Sequence, residues 1–138
     1  MDQARANAAD ACQEMIMLDT HIAVALYEGR TSGLGTAAKR AIDREPVSIS
    51  PAVLLELELL HEIRRLRVGA QAIAQHLIEK LAITIAGERF ADVARQALAF
   101  DFTRDPFDRL IAAHAALLKS PLVTLDENLH RHYPGALR

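Results

Sequence analysis

Met15-Ile16-Met17-Leu18-Asp19-Thr20-His21 is the stretch whose reading decides the fold. Four apolar residues in a row, with no polar alternation, read as a strand buried on both faces. Asp19 ends the run, and Asp19-Thr20 caps a helix over residues 21–28. A doubly buried strand that passes straight into a helix is the opening of a strand–helix–strand unit, and such units build parallel sheets.

The rest of the chain keeps that alternation. Gly29, Gly33 and Gly35 mark a loop. Thr36–Arg44 has helical spacing and is closed by Pro46, and Val47–Ile49 is a second strand. Ser50-Pro51 is a helix start, a hydroxyl cap before proline at the first helical position. That helix is expected to run to about Arg67 and to stop near Gly69. A further helix is expected over Ala70–Lys80, a strand over Leu81–Ala86, and a helix over Glu88–Phe100. Asp105-Pro106 opens a helix to about Lys119, and Leu122–Leu125 is the last clear strand. Pro134-Gly135 is a turn in a short tail. The expected fold is α/β, a central, mostly parallel sheet of four to five short strands with helices on both faces.

Composition bounds what such a domain does. With 138 residues, 51% of them hydrophobic, the chain makes one domain with an aliphatic core. Residues 1–14 read as a polar extension, residues 15–138 as the domain, and Met15 and Met17 as alternative starts. A net charge of -2 excludes a bulk electrostatic grip on nucleic acid, so any such grip must be local. Cys12 is the single cysteine, which excludes an internal disulfide and a cysteine-based zinc site. No apolar run is long enough for a membrane span, and a cytoplasmic setting is expected.

Four acids stand out against the apolar pattern. In an open parallel sheet the crevice lies beyond the carboxyl ends of the strands. Asp19 and Asp126 each follow a strand and fall on that rim. Glu56 interrupts the row Ala52, Glu56, Leu59, Ile63, Leu66 on a helix that leaves the same rim. Asp108 lies at the third position of the helix opened by Asp105-Pro106, where the helix dipole favours an acid. Each has a plain structural reading beside the functional one. Asp19 and Asp126 cap helices, Glu56 is an edge residue reaching water, and Asp108 complements a helix dipole. Asp105 is assigned mainly to capping and Asp108 mainly to the site. Gathered carboxylates repel one another, so their natural partner is a divalent cation. Hard oxygen ligands select Mg²⁺ or Mn²⁺ over zinc.

The segments Ile16-Met-Leu-Asp19-Thr-His, Ser50-Pro-Ala-Val-Leu-Leu-Glu56, Asp105-Pro-Phe-Asp108-Arg-Leu-Ile-Ala-Ala-His-Ala and Leu122-Val-Thr-Leu-Asp126 resemble, in order and spacing, the four blocks of PIN-domain proteins, VapC-type toxins of toxin–antitoxin pairs in particular. The resemblance implies a ribonuclease that needs Mg²⁺ or Mn²⁺, with Asp19, Glu56, Asp108 and Asp126 as its catalytic and metal-binding quartet. It also implies a homodimer and a small antitoxin as partner.

Arg109 is a candidate for contact with the RNA substrate, as are Thr124 and Asn128 more weakly. Arg64, Arg65 and Arg67, with Lys39, Arg40 and Arg44, are basic clusters that read equally as solvated faces. His114 falls on the row Phe107, Leu110, Ile111, His114, Leu118 and reads as a packed histidine rather than a base, while His21 stays open. The row Leu54, Leu57, His61 with Leu60 reads as an antitoxin groove or as core. Two other readings compete: a catalytically silent PIN-like binding module, and a receiver- or phosphatase-like α/β domain. The last needs a second acid two residues after the first or a lysine at a strand end, and the chain has Asp19-Thr20-His21 instead.

Overall fold

In a computed structural model, which describes residues 14–138, the chain forms five strands and seven helices among those residues. The strands are β1 (Ile16–Leu18), β2 (Val47–Ile49), β3 (Thr84–Ile85), β4 (Leu122–Val123) and β5 (Ala136–Leu137). The helices are α1 (Thr20–Glu28), α2 (Thr36–Arg44), α3 (Pro51–Glu62), α4 (Ala70–Leu81), α5 (Phe90–Ala97), α6 (Pro106–Leu117) and α7 (Glu127–His132). The expected polar extension lies, apart from Glu14, outside the described residues.

The sheet order is β3-β2-β1-β4-β5, and every pairing is parallel. The chain leaves β1 toward β2 and β3, then returns to the other side of β1 as β4. The β1/β4 junction is therefore the topological switch point, where an α/β sheet opens its crevice. Met17 pairs with Leu122 and Leu18 with Val123. One residue further on, that register sets Asp19 beside Thr124.

The central strand is the most deeply buried element: Ile16, Met17 and Leu18 are at most 1% exposed. They pack with Ile22, Ile49, Leu57, Ile73, Leu77, Ile111, Leu122 and Leu129 in one aliphatic core. Each fully buried side chain of this size contributes roughly 1.5–3 kcal/mol of hydrophobic stabilisation. Among the described residues no helix is long and apolar enough to cross a membrane.

Helix α5 is shorter than the expected Glu88–Phe100, and β4 shorter than the expected Leu122–Leu125; three further differences have a visible cause. Helix α3 ends at Glu62, not near Arg67. Arg64 adopts φ 65°, and the amides of Arg65 and Leu66 both turn back to the Leu60 carbonyl, which closes the last turn. Only Thr84–Ile85 of the expected Leu81–Ala86 strand pairs, because α4 runs through Leu81 and Ala82 turns the chain at φ 55°. The tail, expected only to turn, adds the edge strand β5 against β4.

Candidate active site

Asp19 stands at the switch point and is 3% exposed. A buried carboxylate demands donors, and the sequence around it supplies them. Its Oδ1 accepts from the Thr20 amide at 2.8 Å, capping α1. Its Oδ2 accepts from the Thr124 hydroxyl at 2.7 Å. The His21 side chain completes the set. Its Nε2 accepts from the Leu125 amide at 2.9 Å, which puts the proton of a neutral ring on Nδ1. That nitrogen lies 3.4 Å from Asp19 Oδ2.

Glu56, two turns into α3, is half-buried and accepts from the Thr20 hydroxyl through Oε1. Burial raises its pKa, the Thr20 hydrogen bond opposes that rise, and the charges of Asp19 and Asp105 add to it. Asp108, in the first turn of α6, shifts furthest. Burial, then the charges of Asp105, Asp19, Asp126 and Glu56, push its carboxyl up to about 7. That order of causes also maps the site: acids from four separate segments lie near enough to feel one another through space.

Asp126 caps α7, its Oδ1 accepting from the amides of Asn128 at 2.8 Å and Leu129 at 3.3 Å. Its own amide donates to Thr124 Oγ1 at 3.0 Å. The Thr124 hydroxyl thus ties the acid after β1 to the acid after β4. Asp105 caps α6 through the amides of Phe107 and Asp108, as the sequence suggested. It is also the largest charge acting on Asp108, so it belongs electrostatically to the site. Asp-Pro-Phe-Asp carried that signal, since the cap and third positions of a helix sit at the same end. Thr20 was missed; a hydroxyl at the first helical position after a strand-end acid was its only mark.

The three suggested substrate contacts are placed differently. Arg109 faces away from the acids: its guanidinium donates to the carbonyls of Ala97 at 3.1 Å and Leu98 at 3.4 Å, closing the C-terminal end of α5. Thr124 is 0% exposed and stands behind Asp19. Asn128 is half-buried and donates to the Phe102 carbonyl at 3.4 Å, holding the segment before α6 against α7. Replacing Thr124 by Val keeps the volume but strips a donor from buried Asp19 and an acceptor from the Asp126 amide. The expected loss is about 2–3 kcal/mol of stability, to be read from urea unfolding. An unchanged midpoint would show that the hydroxyl does not tie the two acids.

The donors available to a cation here are carboxylate oxygens, the set that suits Mg²⁺ or Mn²⁺. Among the described ion pairs only His21 approaches the quartet. Among the described residues no three His, Cys, Asp or Glu side chains are gathered into a ready metal-binding group. The oxygens of Asp19, Glu56 and Asp126 turn instead to hydroxyls and helix amides, as repelling charges do when each finds its own donor.

Acids at the switch point of an all-parallel α/β sheet mark the crevice where folds of this class bind their ligands. The chain matches the PIN domain family over residues 16–134 and belongs to it. Two solved structures share the fold. One is VapBC2 from Rickettsia felis bound to a DNA fragment from its promoter, with TM-score 0.62 and 19% identity, over 89% of this chain and 96% of that one. The other is a toxin–antitoxin complex from Klebsiella pneumoniae, with TM-score 0.63 and 22% identity over the same shares. Among curated proteins nothing matches. PIN domains are generally nucleases, which sets hydrolysis as the class of chemistry.

Proposed function

We propose that this protein is a metal-dependent endoribonuclease, the toxin of a type II toxin–antitoxin pair acting in the cytoplasm. The observation that carries the nuclease reading is the carboxyl of Asp108, raised to about 7 by burial and by the charges of Asp105, Asp19, Asp126 and Glu56. Five acids lie near one rim, and among the described ion pairs only His21 approaches them; a divalent cation would offset the remaining charge. Asp19, Glu56, Asp108 and Asp126 would hold Mg²⁺ or Mn²⁺, directly or through water. Such an ion polarises a phosphodiester and lowers the pKa of an attacking water.

The chain's own residues do the rest. Thr124 and the Thr20 amide fix the Asp19 carboxylate, and the Thr20 hydroxyl fixes Glu56. Asp126 is fixed by the first turn of α7. Burial of Asp19 keeps bulk water from one side of the rim, which strengthens each charge acting there. The products expected carry a 5′-phosphate and a 3′-hydroxyl. The toxin reading draws on the shared fold with two toxin–antitoxin complexes. It brings a small antitoxin and a homodimer as expected partners.

The residues expected to form an antitoxin groove divide. Leu57 is fully buried in the core. Leu54 lines a cavity of about 720 Å³ between α3, α4 and the β3 edge, with Ala74, Ile78 and Ile85.

The test is purified protein with RNA, in Mg²⁺ and in EDTA. Cleavage in Mg²⁺ alone, with 5′-phosphate ends, is the expected result. Cleavage equal in EDTA overturns the metal dependence. The absence of a pre-gathered ligand group among the described residues favours one second reading, a catalytically silent PIN-like module. Thermal unfolding separates the two. Millimolar Mn²⁺ is expected to raise Tm by several degrees through the acids, as any ligand of the folded state does. No shift, together with no cleavage, supports the silent module.

A further inference from the structure

A second polar cluster lies behind the acids. His114 on α6 is 1% exposed, yet both ring nitrogens are bonded. Nε2 lies 2.8 Å from Glu88 Oε1, and Nδ1 lies 3.0 Å from Ser50 Oγ. A carboxylate only accepts, so Nε2 carries a proton, and in the neutral ring Nδ1 accepts from the Ser50 hydroxyl. Ser50 Oγ in turn accepts from the Ala52 amide at 3.2 Å. The result is a directional chain from the first turn of α3, through the ring, to the segment after β3.

Serine, histidine and acid in a row, on the wall of a cavity of about 280 Å³, suggest a nucleophile. The backbone argues against it. Acyl transfer needs free donors for an oxyanion. The residue after Ser50 is Pro51, which has no N–H. The next two amides are already bound to Ser50 itself, Ala52 to Oγ and Val53 to the carbonyl at 2.9 Å. Ser50 is a cap.

What the cluster joins is more informative. Ser50 starts α3, which carries Glu56. His114 lies on α6, which packs on α3 and carries Asp108. The charge of Glu56 acts on Asp108 across the gap between the two helices, and the imidazole bonds the cap of α3 to α6. We propose that His114, oriented by Glu88, is a positioning residue that sets the separation of Glu56 and Asp108. Its effect on cleavage rests on the nuclease reading above. The fastening itself does not. Buried in this way, His114 does not reach RNA. It acts through the start of α3, and an error on the order of 1 Å in such a placement costs up to about a hundredfold in rate.

Glu88 is the member to replace, because its side chain is 34% exposed and its loss opens no core cavity. In Glu88→Ala the ring loses its anchor. Expected are a fall in kcat of about tenfold and a KM for a short RNA within about twofold of the parent. Glu88→Gln, whose carbonyl still accepts from Nε2–H, recovers most of the rate. A readout without metal or RNA accompanies these. The Ala52 amide, measured by hydrogen exchange in EDTA, is expected to exchange about tenfold faster in Glu88→Ala than in Glu88→Gln. Parental kcat in Glu88→Ala, or unchanged Ala52 exchange, overturns the proposal. If the parent itself fails to cut RNA in Mg²⁺, the nuclease reading falls, and Ala52 exchange still decides whether the imidazole fastens α3 to α6.

Discussion

Replacing Asp19 by Asn is expected to slow Mg²⁺-dependent RNA cleavage by about a thousandfold while the protein stays folded. Asp19 sits at the switch point, its carboxylate almost wholly buried and shared between the start of α1 and the Thr124 hydroxyl. Asparagine keeps the capping oxygen, so α1 still has an acceptor for its first free amide. The Thr124 hydroxyl can rotate to accept from the new amide group. The folding cost is therefore small, about 1 kcal/mol. What disappears is a negative charge that the proposed cation would need. Time courses of RNA fragments, beside circular dichroism of the same samples, make the measurement. A folded Asp19→Asn protein that cuts at the parental rate removes Asp19 from the chemistry.

Asp108→Asn is expected to do two opposite things: abolish cleavage and stabilise the metal-free fold at pH 8. The sign follows from linkage. The folded-state carboxyl titrates near 7, against an ordinary value of 3.8. Between those values the native state holds a proton that the unfolded chain has released, so stability falls as pH rises through that window and levels off above it. Full burial would make the penalty about 4 kcal/mol. Asp108 is only half-buried, and solvent screening reduces it to about 1–2 kcal/mol. Asparagine carries no charge and escapes it. In EDTA at pH 8 the variant should melt several degrees above the parent, and near pH 5 the gap should be clearly smaller, closing only toward 3.8. An equal gap at both values would mean that charge crowding at Asp108 is not its source.

The central strands and the acids that follow them were legible because both signals are local. Ile16–Leu18 and Val47–Ile49 are apolar throughout, and caps such as Ser50-Pro51 and Asp105-Pro106 act over three residues. The edge strands were legible only in part: β3 falls inside the strand expected over Leu81–Ala86 but is shorter, and β5 was read only as a turn and tail. β3 and β5 are two residues each, and what makes them strands is pairing with β2 and β4, which lie far away in sequence. Arg109 shows the same limit in a helix. It adjoins Asp108 in the chain, but each residue turns about 100° around a helix axis. The guanidinium consequently meets the end of α5 and not the acids. His114 read correctly as buried, because its row is apolar. Its partners Ser50 and Glu88 are 64 and 26 residues away, beyond any local rule.

By itself, the order of residues determined that Asp19 and Asp126 follow strands, that Asp108 rides the first turn of its helix and Glu56 the second turn of its own, and that the sheet between them is mostly parallel. Periodicity and capping depend on near neighbours, and near neighbours are written in the chain. Tertiary structure alone decided how these acids affect one another. It drew Asp105 into the charge cluster, carried the Asp108 carboxyl to about 7, stood Thr124 between two acids and joined α3 to α6 through one imidazole. Desolvation and Coulomb forces act through space, and distance in space between remote segments exists only once the chain has folded.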